Sequence, residues 1–397
     1  MKRFFIILLA LSIFALPFSA LATETANVYP YDVVMGDYWF EPANAQYVSD
    51  GDAKALLLME FSTGKVLFAE NEKEHLPIAS VTKVMSTLLV AEAIDSGRIS
   101  IDDMVTVSEY AASMGGSQIF LEAGETMSVE DLLKSLIVVS ANDATVALGE
   151  YICGSEAAFV QAMNERAREL GCENTNFVNT NGLPADDHYS CALDIALITR
   201  ELMKHELVFK YTGIWMDTIR NGTFGLANTN KLIRFYKGAT GMKTGFTGDA
   251  KYCLSGTAKR DGMHLIAVVL GASTSDKRFA AAKGMLDYGF ANYSVVSPEI
   301  PSLEPISVLR GVENQVPLKS SPISLLVEKG GDCKIESKAV INENIQAPVA
   351  KGSKAGYIAY YINGSEVARA DVYTADSVAE VSYGSVLGEL FKRLFFK

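Results

Sequence analysis

Two β-rich stretches on either side of a long helical block constrain this chain more than any other feature. The first, AKALLLMEFSTGKVLFAEN from Ala53, places two apolar runs around Ser62-Thr63-Gly64-Lys65, the pattern of a β-hairpin. The second runs from GMKTGFT through YCLSGTAKRDGMHLIAVVLGA, with a turn at Arg260-Asp261-Gly262. Between them, SVTKVMSTLLVAEAIDSG carries Val81, Val84, Met85, Leu88 and Ala91 at helical spacing, with Gly97 as the stop. SVEDLLKSLIVVS opens on Ser128 and Asp131, close to a capping box. NDATVALGEYI, SEAAFVQAMNERARELG ending at Gly171, and SCALDIALITRELMKH with Ser190 as the expected N-cap follow. A last helix is predicted near DKRFAAAKGMLDYGF. Strands before and after a helical block give one sheet with helices against it, so the predicted class is α/β (α+β).

The two ends read differently. Lys2 and Arg3, the apolar run from Phe4 to Leu16 and the triplet Ala20-Leu21-Ala22 have the three parts of an export signal. The run is short for a bilayer span, so cleavage is predicted before Thr23. Losing Lys2 and Arg3 then takes the formal charge from −12 to −14. Residues 23–50 mix Pro, Gly, Asn and acids and read as a leader. From about Val295, Pro298, Pro301 and Pro305 mark a linker, and short β-rich stretches separated by Gly, Asn and Ser predict a small all-β domain. The expected order is signal peptide 1–22, leader 23–50, main domain 51–294, β-rich domain 295–381 and terminal helix 382–397. In that helix Val386, Leu387, Leu390, Phe391, Leu394 and Phe395 share a face, with Glu389, Lys392, Arg393 and Lys397 elsewhere. Such a helix lies on a membrane surface or docks on its own domain, and its terminal position favours the membrane.

Composition narrows the function classes. With 49% hydrophobic and 21% charged residues the chain is globular, and its acidic balance argues against nucleic acid as a partner. The five cysteines (Cys153, Cys172, Cys191, Cys253, Cys333) read as scattered core residues, with one disulfide left open. No metal-ligand spacing occurs among them or the four histidines.

The chemistry is carried by three short motifs. PIASVTK places Ser80 and Lys83 one helical turn apart, an arrangement that an ordinary solvated helix face would also explain. Ser140-Ala141-Asn142 follows 60 residues later, at a break after an apolar helix. Lys243-Thr244-Gly245 follows after another 103 and is expected to open a strand after Gly241. S-x-x-K, S-x-N and K-T-G in this order form the set found in class A β-lactamases and penicillin-binding proteins. LPIASVTKVMS, GGSQIFLEAGE, VVSANDA, NTNGLPADDHYSCALDIA and GMKTGFTGDAKYCLSGTA resemble the successive blocks of the serine D-alanyl-D-alanine carboxypeptidases, the low-molecular-mass penicillin-binding proteins. The resemblance runs from about Ala53 to Gly289, and the β-rich region and terminal helix resemble that family's second domain and anchor.

The resemblance implies a β-lactamase/transpeptidase-like domain with an antiparallel sheet flanked by helices. It implies a peptidase that removes the terminal D-alanine of peptidoglycan stem pentapeptides, without metal or cofactor, and that is acylated by β-lactams. It would be held peripherally at the outer face of the cytoplasmic membrane. Ser80 begins an apolar helix whose unpaired N–H groups favour developing negative charge. Apolar neighbours predict a buried Lys83, and burial lowers a lysine's pKa, which lets it take the Ser80 proton. Ser140 relays a proton towards the departing amine; Asn142 holds Lys83 or the substrate amide, unless the segment merely caps the next helix. Lys243 and Thr244 meet the substrate carboxylate, Gly245 admits substrate backbone, and the N–H groups of Ser80 and Phe246 form the oxyanion hole. Two residues are secondary: Asp194 orients water or is a first-turn charge, and Arg278 assists Lys243 or forms a surface salt bridge. His188 lies in a loop, near the site or solvated. Lys251 departs from the small residues that often follow the K-T-G turn.

Rival readings use the same residues. A class A β-lactamase needs a glutamate block between Asn142 and Lys243 that this sequence lacks. A peptidoglycan endopeptidase shares the site, and a β-lactam-binding sensor would be expected to lose Ser80, Lys83 or Lys243. A Ser-His-Asp hydrolase would need a G-x-S-x-G elbow, which does not occur.

Overall fold

The computed structural model describes residues 47–331 and 333–395, so the expected signal peptide and the leader up to residue 46 lie outside the described residues. Tyr47, at the leader's end, packs edge-on against Phe68, and Asp50 pairs with Lys277.

Strands β1 (Ala55–Glu60) and β2 (Val66–Glu70) form the first hairpin. Glu60 closes its turn: the buried carboxylate accepts from the backbone N–H and hydroxyl groups of both Ser62 and Thr63. Five longer helices follow, α1 (Lys83–Asp95), α2 (Val129–Val138), α3 (Asn142–Cys153), α4 (Glu156–Glu169) and α5 (Ala192–Leu202). Strands β3 (Ala239–Thr247), β4 (Lys251–Arg260) and β5 (Met263–Ala272) and helix α6 (Ser275–Asn292) complete the unit. The sheet order is β2-β1-β5-β4-β3, antiparallel throughout, with Ala55 opposite Leu270 and Lys243 opposite Ser255. The N-terminal hairpin therefore docks on the last strand, and the K-T-G strand is left at an edge.

Helices cover both faces of this sheet, so β1 and β5 are apolar without alternation. Leu57, Met59, Val268 and Leu270 pack towards α1 and α5, while Leu56, Leu58, Leu265 and Val269 pack with Phe279, Met285 and Leu286 of α6. Burying one such side chain contributes about 1.5–3 kcal/mol. A third core lies among the helices, with Leu132 and Leu136 of α2 against Val146 and Leu148 of α3.

Local signals explain most helix ends, with two corrections. Ser128 caps α2 by accepting from the Asp131 N–H at 3.2 Å, and α1 is followed by Gly97 at φ +70°. The cap of α5 is Cys191 rather than Ser190: its Sγ accepts from the Asp194 N–H at 3.4 Å. Ser190 is one residue too early, because its backbone bridges to Leu76 and its hydroxyl to Thr175. The K-T-G motif does not open its strand either; pairing begins at Ala239, four residues before Lys243.

Beyond α6, Tyr293–Val296 pairs antiparallel with Leu325–Glu328. The remaining β structure is a four-stranded sheet from Leu318–Ser320, Ser365–Thr374, Lys354–Ile362 and Ile335–Ile341, and a three-stranded one centred on Ile306–Leu309. Small cores such as Ile358, Tyr360 and Val372 hold it. A final helix, α7 (Tyr383–Phe395), leaves Leu387, Phe391, Leu394 and Phe395 exposed. Among the described residues no helix is long and apolar enough to cross a membrane.

Candidate active site

Ser80 lies in a tight 3₁₀ turn, Ala79–Thr82, that leads directly into α1. Ala79 takes the left-handed region at φ +48°, uncommon for a residue with a side chain, and so turns the chain sharply before the serine. Lys83 opens α1 and is fully buried. Its Nζ lies 3.1 Å from Ser80 Oγ, 2.7 Å from Asn142 Oδ1 and 2.7 Å from the Asn181 carbonyl oxygen. Burial holds Lys83 well below the usual lysine range, the nearby Lys243 charge lowers it further, and Asp143 opposes them.

The S-x-N segment joins α2 to α3. Ser140 adopts φ +65°, and its buried hydroxyl has no hydrogen-bond partner among the described residues. Asn142 is held at both ends: its N–H donates to Ser117 O and its Nδ2 to Gly115 O, each at 2.7 Å, which leaves Oδ1 for Lys83. The next residue, Asp143, is buried and accepts from the N–H groups of Ile119 and Leu121. It thus fixes the 115–121 loop against the site.

The edge strand β3 passes beside the Ser80 turn. A Cβ at Gly245 would stand 2.7 Å from Ile78 O and 3.0 Å from Ser80 N, so close approach requires the glycine. Lys243 is buried, with Nζ donating to its neighbour's carbonyl, Thr244 O, at 2.9 Å. Burial, then the Arg278 charge, lowers Lys243 to about 7. Thr244 shares a 2.6 Å hydroxyl contact with Thr229. Phe246 is exposed and lies against Tyr252 with ring centroids 4.5 Å apart. A cleft of about 220 Å³ opens alongside, lined by Pro77, Ala79, Gly182, Leu183, Thr247 and Asp249 among others.

The structure brings Ser80, Lys83, Asn142 and the Gly245 edge together; Arg278 touches the Gly245 edge and His188 the Ser80 turn, while Asp194 connects to them only through the segment that begins at Asn174. Asp194 accepts from the Asn174 N–H and the Thr175 hydroxyl, each at 2.7 Å, and so ties down the start of the loop that carries Asn181. Burial raises its pKa. Arg278 is buried rather than on the surface, and its Nη1 donates to the carbonyls of Gly245 and Cys253 at 3.1 Å. His188 is also buried and contacts Thr82 of the Ser80 turn at 2.8 Å, which removes the solvated alternative. The contribution of Asn181 is absent from the sequence reading because it uses a backbone carbonyl, which no side-chain motif announces.

A serine hydroxyl against a buried lysine, with an edge strand carrying a second buried lysine beside it, suits acyl transfer from a peptide ending in a carboxylate. Known proteins agree. A family model described as D-alanyl-D-alanine carboxypeptidase matches residues 42–274, and one for the C-terminal domain of penicillin-binding protein 5 matches residues 298–380. The chain is 44% identical over 339 residues to D-alanyl-D-alanine carboxypeptidase DacF of Bacillus subtilis, covering 84% of this chain and 87% of that protein. It is 33% identical to DacC of Escherichia coli, with 87% and 88% covered. Penicillin-binding protein 5 from Haemophilus influenzae superposes with a TM-score of 0.73 at 32% identity, covering 86% of this chain and all of that one. Penicillin-binding protein D2 from Listeria monocytogenes, solved in an ampicillin-bound form, superposes with a TM-score of 0.55 at 34% identity, covering 60% of this chain and 98% of that one. The chain belongs to the D-alanyl-D-alanine carboxypeptidase family of penicillin-binding serine peptidases.

Proposed function

We propose that Ser80 is the nucleophile that removes the terminal D-alanine of a peptidoglycan stem pentapeptide, with Lys83 as its base. The observation that carries this reading is the set of three contacts at Lys83 Nζ. Asn142 Oδ1 and Asn181 O can only accept, so a neutral amine spends its two N–H groups on them. Its lone pair is then left for the Ser80 hydroxyl. Burial and the Lys243 charge favour that neutral form.

As Ser80 Oγ bonds to the penultimate D-alanine carbonyl carbon, its proton passes to Lys83 Nζ. The oxyanion faces the N–H groups of Ser80 and Phe246. Ser140, whose hydroxyl is otherwise unpartnered, passes the proton from Lys83 to the amide nitrogen as the C–N bond breaks and D-alanine leaves. Water then cleaves the Ser80 ester. Lys243 supplies charge, and Thr244 a hydroxyl, for the terminal carboxylate; Asn142 holds Lys83. β-Lactams acylate Ser80 by the same attack. Asp194 and Arg278 support the site from behind: one through the loop that carries Asn181, the other through the Gly245 carbonyl.

The bounds proposed for the two domains are 51–294 and 295–381, a boundary that falls within the strand Tyr293–Val296, which pairs with Leu325–Glu328. The protein acts outside the cell after loss of residues 1–22, attached to the membrane surface through α7, whose apolar residues are exposed. Release of D-alanine from a stem pentapeptide, measured for wild type and Lys83→Arg, tests the base. Arg cannot be deprotonated at these pH values, so acylation is expected to fall by about 10²–10⁴-fold; normal acylation of the variant would sink Lys83 as base.

A further inference from the structure

The nucleophile turn is braced from behind by a directional chain of hydrogen bonds. The Val178 N–H donates to His188 Nδ1 at 3.1 Å, so that ring nitrogen carries no proton and the neutral ring holds its proton on Nε2. Nε2 lies 2.8 Å from Thr82 Oγ1, and that hydroxyl in turn donates to Ala79 O at 2.9 Å. Thr82 is fully buried and His188 nearly so. Burial, the main cause, lowers His188 below the usual imidazole range and keeps the ring neutral at working pH. Gly182 presses on the same oxygen: its φ is +80°, and a Cβ there would overlap Ala79 O.

Ala79 O matters because of what shares its peptide group. Cis bonds among the described residues are confined to Gly241–Met242 and Ala347–Pro348, so the Ala79–Ser80 bond is trans. In a trans amide, C=O and N–H lie in one plane and point in opposite directions. Fixing the direction of Ala79 O therefore fixes the direction of the Ser80 N–H. A hydrogen bond to the carbonyl also polarises the amide and strengthens its N–H as a donor.

We propose that His188 and Thr82 are positioning residues that aim and polarise the Ser80 N–H as an oxyanion donor, through the carbonyl on the far side of the Ala79–Ser80 amide. This rests on the Ser80 reading above. Neither side chain needs to touch the substrate. His188 orients the Thr82 hydroxyl, Thr82 grips Ala79 O, and Gly182 closes the space into which that carbonyl could swing.

The test compares full-length wild type with Thr82→Val, Thr82→Ser and His188→Phe. Five quantities are measured: melting temperature, active-site titre with a fluorescent penicillin, kcat and KM for a stem pentapeptide, and affinity for a D-alanine boronic acid peptide. The boronate forms a tetrahedral adduct whose oxygen occupies the oxyanion position. Thr82→Val keeps the shape and removes the hydroxyl. It is expected to lower kcat and boronate affinity together by roughly tenfold to a hundredfold, short of losing a donor outright at ~10²–10³, with KM little changed. Thr82→Ser restores both, and His188→Phe falls between. A purely structural role would lower the active-site titre or melting temperature and leave the constants per active site unchanged, which would overturn the proposal. So would unchanged boronate affinity in Thr82→Val, or failure of Thr82→Ser to recover it. Ser80→Ala serves as the separate control: labelling that survives in it defeats the Ser80 assignment itself, whatever the Thr82 variants do.

Discussion

Lys83 and Lys243 are both buried and close enough to interact electrostatically, yet the proposed mechanism asks opposite protonation states of them. In it Lys83 works as the neutral amine and Lys243 as the cation that meets a carboxylate. Each lysine's folded pKa is lowered, by burial first and then by a neighbouring positive charge. The opposite states that the mechanism requires, rather than the signs, which are the same for both, predict a bell-shaped kcat/KM profile for the free enzyme. Loss of the Lys83 proton is required for activity and loss of the Lys243 proton, lowered to about 7, removes it. A substrate amidated at its C-terminus should lose the alkaline limb and keep the acid one. An alkaline limb unchanged by amidation would count against Lys243 as the carboxylate partner. Ser80, Lys83 and Lys243 are legible in the sequence because their chemistry resides in side chains. Asn181 is not, since its contact is a backbone oxygen. His188 is ambiguous there, because its burial depends on Val178 and Thr82, far apart in the chain.

The 115–121 loop is held by Asp143 and Asn142 from one side and by Arg220, which donates to the carbonyls of Ile119 and Phe120, from the other. Asp143 takes the N–H groups of Ile119 and Leu121, while Asn142 reaches Ser117 and Gly115. Asp143→Ala leaves those buried donors unsatisfied, at about 1–3 kcal/mol each. Chemical denaturation should show the loss, and D-alanine release should fall with it as Asn142 loses its support. Full stability with full activity would show that the loop is held by something else. Turns and caps such as Ser62–Lys65 and Ser128 are readable because they depend on neighbours a few residues away. The sheet order is not, because Ala55 meets Leu270 through burial on both faces rather than through any local propensity. Cys191 displaced Ser190 as a cap for a similar reason: the bridge to Leu76 claims Ser190 from a distance.

In the whole molecule, the exposed face of α7 remains to be covered. Leu387, Phe391, Leu394 and Phe395 are exposed and follow the last β structure. A chain ending at residue 381 should hydrolyse a soluble pentapeptide as the full chain does, and should fail to co-sediment with phosphatidylglycerol vesicles that retain the full chain. Equal sedimentation of both would reject α7 as the attachment. The amphipathic pattern is visible in sequence because it repeats within one helix. What the pattern omits is whether the apolar face finds a partner within the fold, and that depends on tertiary packing.

The proposed chemistry turns on an ester at Ser80. Peptide mapping by mass spectrometry after brief exposure to benzylpenicillin detects that ester. The adduct should map to the peptide containing Ser80-Val81-Thr82-Lys83 and be absent from Ser80→Ala. An adduct on any other residue, or one that persists in Ser80→Ala, would exclude Ser80 as the acylated residue.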